Sequence, residues 1–246
     1  MNSNNQKHIV AISGGKDSTA MVLRLKELNP KQEYIFLCTP TGDELPDMIN
    51  HWKKLEHLLG QKIIKVTNKS LYEWIDYFDA LPNWRQRWCT RLLKIQPCLA
   101  FLKQFETKPF LYVGLRSDEE ERKGIYSENV KTLFPLREWG WDIKKVNSYL
   151  KEKNITIPKR TDCSLCFYQK ISEWFYLWRD NREFFNKGIA FEKKTGHTFR
   201  NPNKKRWGAS LEKMSTIFQS GKVPRKATNQ LPLFDEEMIS CRVCRL

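Results

Sequence analysis

Apolar positions along this chain follow two alternating rhythms. The runs HIVAIS (His8–Ser13), YIFLCT (Tyr34–Thr39), KIIKVT (Lys62–Thr67) and FLYVGL (Phe110–Leu115) are short, apolar and rich in β-branched or aromatic residues. They read as strands. Between them lie stretches with helical spacing, 18–28, 46–59, 71–78 and 91–105. Strands alternating with helices predict a parallel sheet covered on both faces, a Rossmann-like α/β fold. Ligands of such sheets bind at the carboxyl ends of strands, near a switch in strand order.

The pattern changes after about residue 140. WDIKKVNSYLKEKNI reads as one amphipathic helix, and ISEWFYLWRDNREFFNKGIAFEKKTG as another whose aromatic residues suit core packing. Beyond Lys204 the chain is basic and punctuated by Gly and Pro, which predicts a loosely packed tail. The expected organisation is an α/β nucleotide-binding domain over 1–140, a helical Cys-containing extension over 141–203 and a basic tail over 204–246.

Composition adds two constraints. With 246 residues, nine Trp and fourteen Phe, the chain can fill a core. No apolar run approaches the roughly 20 residues that span a membrane. The polar start, MNSNNQKH, lacks the apolar segment of a secretory signal, so the expected location is the cytoplasm, with no membrane partner.

The net charge of +15 points to a polyanionic partner, nucleic acid first. The charge is concentrated: from Lys193 to Lys226 there are ten Lys or Arg against one acid, Glu212. Phe199 and Trp207 lie among them. A cationic track with aromatic faces suits phosphates and bases together.

The candidate chemistry begins where the first strand ends. SGGKDS (Ser13–Ser18) hands that strand over to a helix. A helix N-terminus offers unpaired N–H groups and a partial positive charge, which suits phosphate. Gly14 and Gly15 let the backbone approach an anion closely. Lys16 adds a full charge, Ser13 and Ser18 offer hydroxyls, and Asp17 can hold Mg²⁺ or cap the helix. The spacing is neither the Walker pattern nor G-x-G-x-x-G.

SGGKDS after an initial strand resembles the pyrophosphate loop of the PP-loop ATP pyrophosphatases. That resemblance implies that Ser13, Gly14, Gly15, Lys16, Asp17 and Ser18 cradle the pyrophosphate part of ATP. TPTGDELPDM is similar to the segment after the second strand in the phosphoadenylyl-sulfate (PAPS) reductase-like branch of that family. It matches at Thr41, Gly42, Glu44 and Pro46, with Pro40 where the family usually has Asp. WCTRLLKIQP resembles the Cys-Thr-x-x-x-Lys-x-x-Pro segment at Cys89, Thr90, Lys94 and Pro97. GLRSDEEERKG resembles the G-x-R-x-x-E-x-x-R segment at Gly114, Arg116, Glu119 and Arg122. The resemblance implies nucleotide contacts from Thr41, Gly42, Gly114, Arg116 and Arg122, and catalytic roles for Lys16, Asp17 and Arg116. Forked guanidiniums suit phosphate or sulfate oxygens. Glu119, Arg122 and Lys123 equally fit a solvated run of helix ion pairs.

Two departures separate the chain from true sulfonucleotide reductases. It keeps Lys16 and Asp17 in the first loop, and it ends in SCRVCRL rather than an E-C-G-L-H type segment. Both point toward ATP-driven activation of an acceptor oxygen.

Seven cysteines are many for a reducing compartment and point to metal or sulfur chemistry. Cys163/Cys166 and Cys241/Cys244 have metal-ligand spacing, compatible with a Zn²⁺ site or an iron–sulfur cluster. The family resemblance favours a [4Fe-4S] cluster on Cys89, Cys163 and Cys166. Trp88 stands where adenylyl-sulfate reductases have a further cysteine, and Cys241 or Cys244 is left as a spare ligand or persulfide relay. Cys38 and Cys98, in apolar surroundings, are expected in the core.

The resemblance implies an ATP pyrophosphatase that adenylates a nucleic acid for sulfur insertion. It is closest in style to the ATP-using component of DNA phosphorothioate modification systems, with DNA favoured over tRNA. A cysteine desulfurase is the expected sulfur donor. Thiolation of tRNA, sulfonucleotide reduction and nucleic-acid binding over a relic ATP site are the alternatives.

Overall fold

The computed structural model describes residues 6–122, 130–203 and 205–228. Its centre is a five-stranded parallel sheet in the order β3-β2-β1-β4-β5. The strands are β1 (His8–Ala11), β2 (Ile35–Cys38), β3 (Ile64–Lys65), β4 (Phe110–Tyr112) and β5 (Lys131–Leu133). Pairing Ile9 with both Ile35 and Leu111 places β1 at the middle, where the order reverses. That reversal is the switch point at which such sheets bind ligands.

Side chains alternate across the sheet with period two. Val10, Ile12 and Phe36 face one layer, formed by α1 (Lys16–Leu28) and α2 (Pro46–Leu59) together with Val146 and Leu150. Ile9, Leu37 and Leu111 face the other, against Cys98 and Leu102. Helices therefore cover both faces, as the alternation in the sequence requires.

A second core sits beside the sheet. It joins α3 (Leu71–Phe78) and α4 (Trp88–Thr90) to the C-terminal helices. After α4 the helix widens into a π turn over Arg91–Ile95 and then continues as α5 (Gln96–Leu102). Pro97, which has no N–H to give to residue 93, sits just past the π turn, and the Gln96 N–H bonds to the Arg91 carbonyl five residues back.

Short α6 (Pro135–Glu138) and α7 (Ile143–Glu152) return along the sheet. The aromatic stretch expected as one helix is two, α8 (Ile171–Asp180) and α9 (Arg182–Thr195). Asn181 breaks it with φ −136° and ψ 56°. The break lets Trp174 and Phe185 meet edge to face, 6.4 Å apart, within one core.

The basic region is not loosely packed as far as it is described. α10 (Leu211–Gln219) buries Leu211, Met214 and Phe218, and α11 (Arg225–Thr228) follows. Gly188 on α9 makes that docking possible: a Cβ there would lie 2.6 Å from Leu211 and 2.8 Å from Leu165. Buried Glu192 accepts backbone N–H groups from Phe199 (3.0 Å) and Leu211 (2.6 Å), tying α9 to α10. No helix among the described residues is long and apolar enough to cross a membrane.

Candidate functional site

The loop after β1 is held by its own hydroxyls and by α2. Ser18 Oγ accepts the Gly14 N–H at 3.1 Å, Ser13 Oγ accepts the Gly15 N–H at 3.2 Å, and the two hydroxyls lie 3.1 Å apart. Trp52 donates its indole N–H to the Ser13 carbonyl at 3.1 Å. Gly14 has φ +82°, and a Cβ there would fall 2.0 Å from Met48 and 2.6 Å from Trp52. The glycine thus serves packing against α2 as well as the turn. His51, buried behind the loop 3.5 Å from the Thr19 hydroxyl, is pushed down to about 4 by desolvation and is neutral.

Gly15 begins α1 with no side-chain cap, so the helix N-terminus opens onto the cleft. Lys16 and Asp17 are both buried there. Burial lowers the Lys16 pKa and raises that of Asp17 to about 6, against the pull of Arg116 and Lys16. One Asp17 oxygen accepts from Arg116 at 2.9 Å; the other, Oδ1, is buried without a protein partner. A lone hard oxygen at a phosphate-ready helix end has the chemistry of a Mg²⁺ ligand.

Arg116 is nearly enclosed by carboxylates, at 2.9 Å from Asp17, 2.8 Å from Asp118 and 3.7 Å from Glu119. Arg122 pairs with Glu119 at 2.6 Å and also lines the cleft. Arg137, absent from the sequence-based candidates, donates to the carbonyls of Arg116 (3.3 Å) and Arg122 (2.6 Å) and so fixes this loop. Gly114 passes α1 closely, since a Cβ there would lie 3.1 Å from the Ser18 nitrogen.

The loop after β2 folds around Glu44, which accepts from the Thr41 hydroxyl at 2.7 Å and the Gly42 N–H at 3.0 Å. Asp43 between them is wholly buried and reaches another segment. Its carboxylate accepts from the Tyr72 and Ser164 hydroxyls and from the Leu165 N–H (2.8 Å), while its carbonyl accepts the Ser164 N–H (2.8 Å). Burial raises its pKa against these bonds. Asp43 thereby ties the loop after β2 to the cysteine loop across 121 residues of sequence.

Cys89, Cys163 and Cys166 come together around one small cavity, with Thr41 and Lys94 in the same wall. The π turn has a part in this. Bonding from i to i+5 brings residues five apart toward one face, and Cys89 and Lys94 both reach the cavity. A hydrogen bond with Cys166, then burial, raise the Cys163 thiol well above its usual range; burial raises Cys89. Among the described residues no three His, Cys, Asp or Glu side chains converge tightly enough for a single metal ion. Thiols facing one cavity are the donor type that an iron–sulfur cluster or zinc takes, and the space between them, about 10 Å³, is that of about one water. Cys241 and Cys244 lie outside the described residues. Cys38 and Cys98 are buried, and both also line the larger cleft.

That larger cleft, about 200 Å³ against about 10 Å³ for the thiol cavity, is the one with room for a nucleotide. Ser13, Gly15, Asp17, Ser18, Thr41, Gly114 and Arg122 line it. Ile12, Leu37, Leu111 and Val113 supply an apolar wall suited to a base. Trp52 and Thr161 join it, and neither carried a signal in the sequence. Thr41, Lys94 and Cys163 stand in the walls of both cavities.

The expected cationic track is only partly open. Lys193 pairs with Glu212 at 2.7 Å and Lys194 with Asp76 at 2.6 Å, and Arg200 binds the Gly208 carbonyl. Phe199, expected as a stacking face, is in the core. Arg206, Lys213, Lys222 and Arg225 are exposed, and Lys222 lies 4.8 Å from the Trp207 ring centre.

The model of the phosphoadenosine phosphosulfate reductase domain matches residues 7–160. An uncharacterized protein of Methanocaldococcus jannaschii is 26% identical over 203 residues, covering 76% of this chain and 48% of that protein. A second from the same organism is 25% identical over 178 residues, covering 72% and 32%. The chain thus spans about half or less of these relatives. Among solved structures, the phosphoadenylyl-sulfate reductase of Candida auris in a phosphate complex has 16% identity and a TM-score of 0.49, covering 62% of this chain and 74% of that one. The U34-tRNA thiolase NcsA of Methanococcus maripaludis with its [4Fe-4S] cluster has 17% identity and a TM-score of 0.49, covering 99% and 82%.

Proposed function

The chain belongs to the phosphoadenosine phosphosulfate reductase domain family, and from that premise we propose that it is an ATP pyrophosphatase that adenylates a nucleic acid for sulfur insertion. The observation that carries this reading is the shared wall: Thr41, Lys94 and Cys163 border both the nucleotide cleft and the thiol cavity. An acceptor atom activated in the first is within reach of sulfur chemistry at the second.

The β and γ phosphates of ATP lie on the N–H groups opening α1, with Lys16 neutralising their charge. The unpartnered oxygen of Asp17 would hold Mg²⁺, which would supply charge neutralisation for the leaving pyrophosphate, and Arg116 fixes that carboxylate. An acceptor oxygen attacks the α-phosphorus and pyrophosphate leaves. The oxygen, now bearing AMP, is displaced by a sulfur nucleophile, and AMP departs with it. Cys89, Cys163 and Cys166 are the residues that would hold a [4Fe-4S] cluster, which supplies redox-active iron beside the acceptor. The charge of +15 supports a polyanionic acceptor, with DNA backbone phosphorothioation the first candidate and tRNA the second. The proposed donor class is a cysteine desulfurase: the terminal sulfur of its persulfide attacks, and a second thiol cleaves the resulting S–S bond, supplying the two electrons and leaving a disulfide.

Anaerobic protein given ATP, Mg²⁺ and nucleic acid is expected to release AMP and pyrophosphate, and Lys16→Ala to abolish that release. Production of ADP and orthophosphate would refute the reading. The protein as isolated should carry about four irons per chain, and Cys89→Ser should lower that number; a colourless protein with one zinc would remove the cluster. Nuclease digestion of treated DNA and tRNA, read for phosphorothioate-linked dinucleotides and for thionucleosides, shows which polymer gained sulfur and whether on backbone or base.

A further inference from the structure

We infer that the exposed shelf formed by α3 and the loop that follows it docks an unpaired stretch of nucleic acid beside the thiol cavity. This rests on the nucleic-acid reading above and places the contact on α3 and its following loop rather than on α10 and α11.

Tyr77, Phe78 and Trp84 are 67%, 41% and 62% exposed, and they are the exposed Phe, Tyr and Trp side chains among the described residues. All fall within one short segment, whereas the other described aromatic residues are buried or half-buried. The shelf is rigid. Phe78 stacks on Trp74 at 5.3 Å and contacts Trp88 at 5.4 Å, while Tyr77 stands edge-on to Trp74 at 5.6 Å. The Asn83 side chain accepts the Arg85 and Gln86 N–H groups, each at 2.9 Å, and so orders the turn that presents Trp84.

The exposed rings carry cations. Arg85 lies 4.7 Å from the centre of Trp84, and Lys69 lies 4.8 Å from that of Tyr77. From Ala80 to Phe105 the chain has Arg85, Arg87, Arg91, Lys94 and Lys103 and no acid. The acids of α3 are largely engaged: Glu73 caps Ser70 and Asp76 pairs with Lys194, leaving Asp79 at the helix end. Exposed rings interleaved with guanidiniums bind bases by stacking and phosphates by charge. A duplex hides its base faces, so the occupant is an unpaired strand.

Position gives the shelf its use. Pro82 lines the thiol cavity, Trp88 precedes Cys89, and Arg87 lies 5.7 Å from the Tyr168 ring, two residues beyond Cys166. Bases held on Trp84 and Tyr77 would set the adjoining backbone at the cysteines.

The test uses the full chain and a labelled oligothymidylate, with a duplex of equal length beside it, in fluorescence anisotropy at two salt concentrations. Trp84→Ala and Tyr77→Ala should each weaken single-strand binding about 5- to 100-fold. Arg85→Gln should reduce the salt slope by about 0.7. Lys213→Ala and Lys222→Ala serve as comparators on the C-terminal face. If the wild type binds the strand but the shelf variants, folded by thermal melting, bind as tightly while the comparators lose affinity, the shelf is overturned and the nucleic-acid reading stands. Preference for the duplex also overturns the shelf. No binding to either polymer overturns both.

Discussion

Replacing Asp43 tests whether the loop after β2 and the cysteine loop are one mechanical unit. Asp43→Ala removes the acceptor for the Tyr72 and Ser164 hydroxyls and for the Leu165 N–H. Each buried donor left without an acceptor costs about 1–3 kcal/mol, and partial relaxation of three gives about 3–5 kcal/mol in all. At about 2–4 °C per kcal/mol for a chain of this size, the melting temperature should fall by about 6–20 °C. Asp43→Asn should cost much less, about 1–2 kcal/mol. Its remaining oxygen can take the Leu165 N–H, which cannot reverse, while both hydroxyls can turn round and accept from its amide. Urea unfolding under anaerobic conditions gives the ranking, and the rate at which a thiol reagent labels Cys163 and Cys166 in native protein should rise in the same order. Equal losses for Ala and Asn would mean that charge, not hydrogen-bond geometry, is what Asp43 contributes. A loss below about 1 kcal/mol for Ala would refute the linkage.

Other consequences can be checked in the same way. Gly14→Ala meets both a positive φ and the side chains of Met48 and Trp52, so it should cost about 2–4 kcal/mol, whereas Gly15→Ala, whose nearest neighbour would be 3.4 Å away, should cost less than about 1. Similar losses at the two positions in urea would contradict the packing described. Burial raises the folded-state pKa of Glu192 to about 7, above its unfolded value, so its contribution to stability is complete in acid and is lost as pH rises through about 7. Glu192→Gln should flatten that dependence, worth about 2–3 kcal/mol between pH 5 and 8; an unchanged slope would assign the effect elsewhere.

The central strands were legible because β1, β2 and β4 are short apolar runs bounded by turn residues. β5 was not: Lys131–Leu133 is three residues with a lysine, too short to show any period. The break at Asn181 leaves no mark in the apolar spacing, which continues through it. In α10 the flanking lysines and arginines drew attention from Leu211, Met214 and Phe218, which mark a buried stripe at i, i+3 and i+7. The site divides along the same line. SGGKDS is contiguous and therefore visible, and the cysteine spacing is local. Trp52, Asp43 and Arg137 act through contacts with segments far along the chain, which no local pattern encodes. The π turn that brings Lys94 toward the side of Cys89 is likewise a matter of helix winding that residue types alone do not announce.

Leu165 ends up with two masters. Its backbone N–H is held by Asp43, buried in the loop whose Thr41 and Glu44 line the larger cleft, and its side chain lies against the notch that Gly188 leaves beneath α10. Any load that shifts α10 is therefore delivered, through a single leucine, to the peptide lying between Cys163 and Cys166. The packing of α10 and the placement of the two thiols thus share one residue.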